Sequence, residues 1–329
     1  MSISFSAVRA AAKQSVLWGL ARWFRVLDRR GPKQRIVVYY AYPDFERKAM
    51  AIADLLRKRG FPAEVRSGAG FLRRARVKLS PHLHVGFWNQ FSNAYLPQRY
   101  IFFNAEPLSI PLWRDDPRWP AAMRGALQVW GYRREHRDQV TALGVPYRFV
   151  PFGYAPYYEE SFANHTRHKA LPTDIDVLFV GYLSSRRKRI LDRIAATGAI
   201  VHVVTPSNPA RGKKLDELLM RAKIVLNIHQ FSDPDAQSVD LARLDHLLSN
   251  RRFVIHEQPS PQGRDPEFEQ YVVTCPYDEI PAMCVHYLAD PSQCDEMTLR
   301  AYRWFKKAIA LDDFLPYDDL RTYLAGGKP

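Results

Sequence analysis

At 329 residues, 47% hydrophobic and 25% charged, the chain has the composition of a globular protein with room for two cores, which excludes disorder over most of its length. A net charge of +14 points to anionic partners (nucleotide phosphates, lipid headgroups or nucleic acid) without choosing among them. Cys275, Cys284 and Cys294 lack CxxC spacing, which argues against a disulfide framework or a metal site and for a reducing compartment.

In chain order, residues 1–32 come first as an expected amphipathic helix. Val16, Leu17, Leu20, Trp23, Phe24 and Leu27 fall at helical spacing, with Arg9, Lys13, Arg22, Arg25, Arg29 and Arg30 on the polar side. Arg22 and Arg25 interrupt the apolar stretch and no small-residue cleavage site follows, which disfavours a signal peptide. Two readings stand level. The helix lies on an anionic membrane surface, or it packs on its own domain.

Residues 33–155 read as a first α/β domain. A strand over Arg35–Tyr40 precedes a Pro43–Asp44 turn and a helix from Phe45 to Arg59, capped by Asp44 and closed by Gly60. Strands follow at Ala63–Arg66, Leu83–Trp88, Tyr100–Asn104, Val129–Tyr132 and Tyr147–Val150, with a helix from Arg133 to Leu143. Pro151 to Thr173 is aperiodic, and 156–173 is expected to be the interdomain linker.

Residues 174–294 carry the clearest alternation. Asp176–Val180 ends on Gly181; a basic loop, Ser184–Arg189, leads into a helix through Ile190, Leu191, Ile194 and Ala195. Further strands fall at Val201–Val204, Ile224–Ile228 and Arg252–His256, with a helix around Leu215–Ala222 and an acidic loop before the next helix. Residues 295–329 form a helical tail, with Leu299, Tyr302, Phe305 and Ile309 at helical spacing, expected to brace the first domain. The fold class is therefore α/β: two Rossmann-like domains whose parallel sheets face across a cleft, with ligands beyond the carboxyl ends of the strands.

Several stretches resemble a known family. They are Asp176–Gly181 with Ser185, Arg186 and Arg187; Ala222–His229; and Asp240–Glu257. In the first half Tyr100–Glu106 and Val150–Tyr154 match strand ends. Together they resemble the group 1-like glycosyltransferases of the GT-B fold, especially the bacterial branch related to spore-coat and envelope glycan enzymes. The resemblance implies transfer of a sugar from a nucleotide-diphosphate donor held by the C-terminal domain. The acceptor would be an envelope glycan or glycolipid, and no separate cofactor is implied. It also implies that Arg186 and Arg187 meet the diphosphate, and that Asp240 meets the ribose where the family often has glutamate. The location expected is cytoplasmic, and peripheral on the inner face of the plasma membrane where residues 1–32 lie on that surface rather than on their own domain.

Physical chemistry bears on the same residues. Guanidinium groups suit diphosphate oxygens, and four basic residues at a helix N-terminus oppose its dipole unless an anion joins them; the plainer reading is a solvated helix start. Gly181 permits a tight turn beside a phosphate. Arg243 lies on the side of Asp240, to reach phosphates or pair with that carboxylate. Asn227 and His229 end a central strand, either touching the donor or tying the loop down. Glu257 is read as a sugar contact or as a partner for Arg243. On the acceptor side, Glu106 and Asp44 are the candidate general bases, with a structural capping role as the alternative for Glu106. No metal site is expected, because Asp174 and Asp176 precede a strand rather than follow one, and metal-independent transfer fits the basic loop. There is no GxGxxG or P-loop motif. A catalytically idle scaffold of the same fold, binding a nucleotide sugar or a glycan, is the alternative function. No nucleic-acid partner is expected, since the basic residues are scattered.

Overall fold

A computed structural model describes residues 34–68, 71–87, 96–108, 115–167, 169–232, 237, 239 and 241–327. The expected helix within 1–32, Trp88 and Asp240 lie outside the described residues. The chain divides into two compact units, one running to Val150 and resuming at Phe314, the other spanning Pro151–Asp313.

The first unit holds strands β1 (Ile36–Tyr40), β2 (Ala63–Ser67), β3 (Leu83–Phe87), β4 (Tyr100–Asn104), β5 (Gln128–Gly131) and β6 (Tyr147–Phe149), in the order β2-β1-β3-β4-β5-β6. Every neighbouring pair is parallel. That is why β1, β3 and β4 read as unbroken apolar runs: helices cover both faces of such a sheet, and these strands are almost wholly buried. Its helices are α1 (Glu46–Lys58), α2 (Phe71–Leu79), α3 (Arg118–Arg124) and α4 (His136–Thr141). Gly60, at φ +84°, ends α1 as expected. Asp44 does not cap it. Pro43 presets a helical φ, so a 3-10 turn over Pro43–Phe45 absorbs Asp44, and Phe45 occupies the cap position without a side-chain bond.

The second unit begins with α5 (Pro156–Thr166), which replaces the expected linker: Tyr158 and Phe162 are buried, and Phe162 packs in one of the unit's two core clusters. Strands β7 (Ile175–Val180), β8 (Val201–Val204), β9 (Ala222–Asn227), β10 (Val254–Glu257) and β11 (Val273–Cys275) form a parallel sheet in the order β11-β10-β9-β7-β8. Between and after them run α6 (Ser185–Ala195), α7 (Gly212–Arg221), α8 (Leu241–Ser249), α9 (Pro266–Glu269), α10 (Ile280–Ala289) and α11 (Pro291–Ala308). Side chains alternate along each strand, so the sheet has two cores. Val177, Phe179, Leu226 and Ile255 meet Ile190, Leu191 and Ile194 of α6 on one face. Leu178, Val225 and Val254 meet Leu244 and Leu248 of α8 on the other.

The tail divides where the units do. Tyr302, Trp304 and Phe305 of α11 are buried in the second unit, correcting the expectation that the whole tail braces the first. Only after α12 (Leu311–Phe314) does the last helix, α13 (Tyr317–Leu324), join the first unit. There Asp319 accepts from the buried Gln128 side chain at 2.7 Å and from Arg148 Nε at 2.8 Å, and Tyr317 stacks on Phe61. The bond from Arg148 holds the Asp319 carboxyl below its ordinary value; burial opposes the shift, and the Gln128 bond adds to it. A depressed folded-state pKa makes the contribution complete above the unfolded value of 3.8 and lost as pH falls below it. We predict that Asp319→Ala, which leaves Gln128 Nε2 without this acceptor, lowers stability by about 1–3 kcal/mol in urea denaturation at neutral pH. An unchanged midpoint would mean the tail is not held by this contact.

Candidate functional site

In the second sheet the connection from β7 to β8 leaves in one direction and the run β9-β10-β11 builds in the other. The strand order therefore reverses between β7 and β9, and doubly wound sheets take ligands in the crevice outside the carboxyl ends of the strands at such a point. Gly181 follows β7 directly at φ +153°, a conformation that side chains disfavour. A Cβ placed there would lie 3.6 Å from Arg243 Nη1 and 3.7 Å from Arg187 Nη1. One guanidinium comes from α6, on one face of the sheet, and the other from α8, on the opposite face.

The segment Ser184–Arg189 is not a loop. Ser184 caps α6 by accepting the Arg187 backbone N–H, so Arg186 and Arg187 stand in its first turn. Arg187 is 1% exposed. It donates through Nε and Nη2 to the Ile228 carbonyl at 3.0 and 2.6 Å, and through Nη1 to the Tyr182 carbonyl at 2.8 Å. It therefore ties the turn after β7 to the end of β9 while presenting charge beside Gly181. Its neighbour is engaged elsewhere. Arg186 forms a two-pronged pair with Glu257, donates to the His229 carbonyl at 3.1 Å and lies 3.8 Å over the Tyr277 ring.

Glu257, 2% exposed, also accepts the His229 backbone N–H at 2.9 Å. Its partner is therefore Arg186, not the expected Arg243. His229 closes the same knot, its Nε2 lying 3.1 Å from the Glu257 carbonyl, and so ties the loop down. Asn227 differs. Its register partner is His256, so it projects toward the α8 face shared with Val225 and Val254. It is 5% exposed, and its Nδ2 has no acceptor among the described residues. Asp174 and Asp176 pair with Arg221 and Lys223, each at 2.7 Å.

In the first unit Asp44 and Glu106 both follow strands at the carboxyl edge, on β1 and β4 with β3 between them. Asp44 is exposed. Glu106 sits in a tightly built turn. The Asn104 side chain accepts the Glu106 N–H at 3.3 Å and donates to its carbonyl at 3.0 Å. His136, 2% exposed, receives the Leu108 N–H on Nε2 at 3.2 Å and lies 3.2 Å from the Asn104 amide. Burial, then the charge of Arg133, lowers its pKa to about 3 and keeps the ring neutral. The sequence reading missed Asn104 and His136, because the contact that joins them spans 32 residues. An asparagine closing an apolar strand before Glu–Pro was the one available signal.

No family model matches the chain. Uncharacterized protein L140 of Acanthamoeba polyphaga mimivirus is 23% identical over 218 residues, 64% of this chain and 66% of that protein, so the chain spans just under two thirds of its length. Sucrose-phosphate synthase from Thermosynechococcus elongatus superposes with a TM-score of 0.53 at 12% identity, covering 89% of this chain and all of that one. HepE from Anabaena, solved with UDP and glucose, gives 0.54 at 9% identity over 88% and 99%. The fold is GT-B. Within that fold, the second unit's sheet carries the pair of guanidinium groups and the knot around Glu257.

The knot is a nearly buried ion pair, and removing one partner strands the other charge. Arg186→Ala is predicted to destabilise the protein by about 3–5 kcal/mol without any ligand present. Chemical denaturation of the variant reads this, and an unchanged unfolding curve would assign Arg186 away from a structural role.

Proposed function

We propose that this GT-B protein is a metal-independent glycosyltransferase that moves a sugar from a nucleotide-diphosphate donor to an envelope glycan or glycolipid. The observation that carries the reading is the approach of Arg187 and Arg243 to Gly181 at the point where the strand order reverses. Glycosyl transfer leaves two negative charges on the departing diphosphate. Donors already in place for that charge lower the barrier because they need not reorganise. Gly181 has no side chain to hold a phosphate oxygen away, the N-terminal turn of α6 adds its dipole, and the buried Asn227 amide offers a donor toward the same end of the sheet. The two guanidinium groups supply the positive charge that a metal ion would otherwise bring.

The remaining roles follow the same chemistry. Asp240 binds the ribose, and Glu106, in the turn fixed by Asn104 and His136, serves as the base toward the acceptor hydroxyl, with Asp44 as the second candidate. The net charge of +14 and the basic residues among 1–32 suit an acceptor presented at an anionic membrane surface, which makes the enzyme peripheral on the cytoplasmic side.

A thermal-shift panel of uridine, guanosine, thymidine and adenosine diphosphates and their sugars, run with an assay for sugar transfer or donor hydrolysis, tests this. At least one diphosphate should stabilise the wild type, by about 2.7 kcal/mol at a hundredfold excess over its Kd. Arg243→Ala should weaken that ligand at least about tenfold. Silence across the whole panel overturns the donor site. Binding with neither transfer nor hydrolysis replaces the transferase with a nucleotide-sugar-binding scaffold.

A further inference from the structure

Below the candidate site, α8 is held by buried charge as well as by its leucines. Asp216, in the middle of α7 and wholly buried, contacts His165 Nδ1 of α5 at 2.6 Å and His246 Nε2 of α8 at 2.9 Å. The network fixes the proton on His246. Asn250 Nδ2 donates to the His246 backbone carbonyl at 2.8 Å, and the same nitrogen lies 3.0 Å from His246 Nδ1. Nδ1 is therefore an acceptor, so Nε2 carries the hydrogen that Asp216 receives. A second wholly buried carboxylate, Asp245, accepts from Tyr158 of α5 at 2.9 Å. Two buried acids thus join α8 to α5 and α7. Arg243 lies three residues before His246, one turn away along the same side of α8.

We propose that Asp216, acting through His246, is a positioning residue for the donor site: it sets the rotation and height of α8 and so holds Arg243 beside Gly181. The proposal rests on the donor-site reading above. Apolar packing of Leu244 and Leu248 keeps α8 on the sheet, but it is non-directional and tolerates sliding. A charge-assisted hydrogen bond has a fixed length and direction. Directional anchoring matters here because a shift of about 1 Å at a binding group is enough to cost about a hundredfold in catalysis. Only a carboxylate can accept from both histidines. An amide at position 216 offers one acceptor atom and sets its N–H groups against a ring N–H.

Titration calorimetry with inorganic pyrophosphate, which carries the diphosphate without base or sugar, tests the idea. It is run well below the melting temperature on wild type, Asp216→Asn, His246→Ala, His246→Gln and Arg243→Ala, with unfolding curves alongside. Asp216→Asn and His246→Ala should bind at least about tenfold more weakly while folded, and His246→Gln, whose amide still donates to Asp216, should stay within about threefold of wild type. If both weakened variants lose stability but keep wild-type affinity while Arg243→Ala has lost it, Asp216 is merely structural and the positioning claim falls alone. If wild type takes up no pyrophosphate, or Arg243→Ala binds as wild type does, the donor-site reading falls and this proposal with it. Should Asp216→Asn not fold, the two His246 variants decide, and equal affinities in them overturn the claim.

Discussion

Two like charges are brought to one glycine in the second unit, and the proposed site depends on that approach. Arg187 Nη1 and Arg243 Nη1 each lie within 3.7 Å of the position a Cβ would take at Gly181. They are therefore no more than about 7 Å apart, where mutual repulsion is about 2 kcal/mol at an effective dielectric of 20. Part of that cost is offset by the Ile228 and Tyr182 carbonyls, which point their negative ends at Arg187. A diphosphate in the same place reverses the sign of the interaction, since both charges then attract a single anion. Everything else proposed for the site is a matter of keeping two helices from opposite faces of the sheet at that spacing.

The fold brings this about by spending charged groups on its own backbone. Ile228 and His229 lie just beyond β9, and their peptide groups are taken up by side chains. Arg187 takes the Ile228 carbonyl, Arg186 takes the His229 carbonyl, and Glu257 takes the His229 N–H. These bonds hold the rim of the crevice in place before any ligand arrives, and preorganisation of that kind is what makes electrostatic catalysis effective. Asp216 does for the α8 side what Glu257 does for the α6 side. In both cases a nearly buried carboxylate anchors the helix that brings an arginine to Gly181.

Much of the architecture was legible, because a parallel sheet covered on both faces writes its strands as short apolar runs: β1, β3, β4, β7 and β9 fall within two residues of their expected bounds. Less was legible where polar composition hid a helix. Pro156–Thr166 reads as linker because its exposed face is polar and its buried face is mainly tyrosine and phenylalanine, so the apolar period is weak. Ser184–Arg189 reads as loop because consecutive basic residues mask a helix start that Ser184 defines. At the site, residue types and strand ends pointed to Gly181, Arg187 and Arg243, which GT-B geometry brings together, but not to the partners that hold them. Arg186 and Arg187 are the same amino acid one position apart. A rotation of about 100° per residue around α6 sends one toward Glu257 and the other toward Gly181, and no spacing rule distinguishes those destinations.

A buried histidine gives the first unit a pH dependence of its own. His136 is neutral in its buried place, with a folded-state pKa of about 3 against the ordinary 6.5. A histidine depressed in this way contributes stability fully above its unfolded value and loses it progressively as pH falls from 6.5 toward 3. The unfolded chain takes up a proton that the folded chain refuses. The turn that carries Glu106 is built on His136 and Asn104, so acid loosens that turn as the imidazole charges. Protonation of His136 takes away the Nε2 acceptor of the Leu108 N–H and registers as lost stability of the first unit.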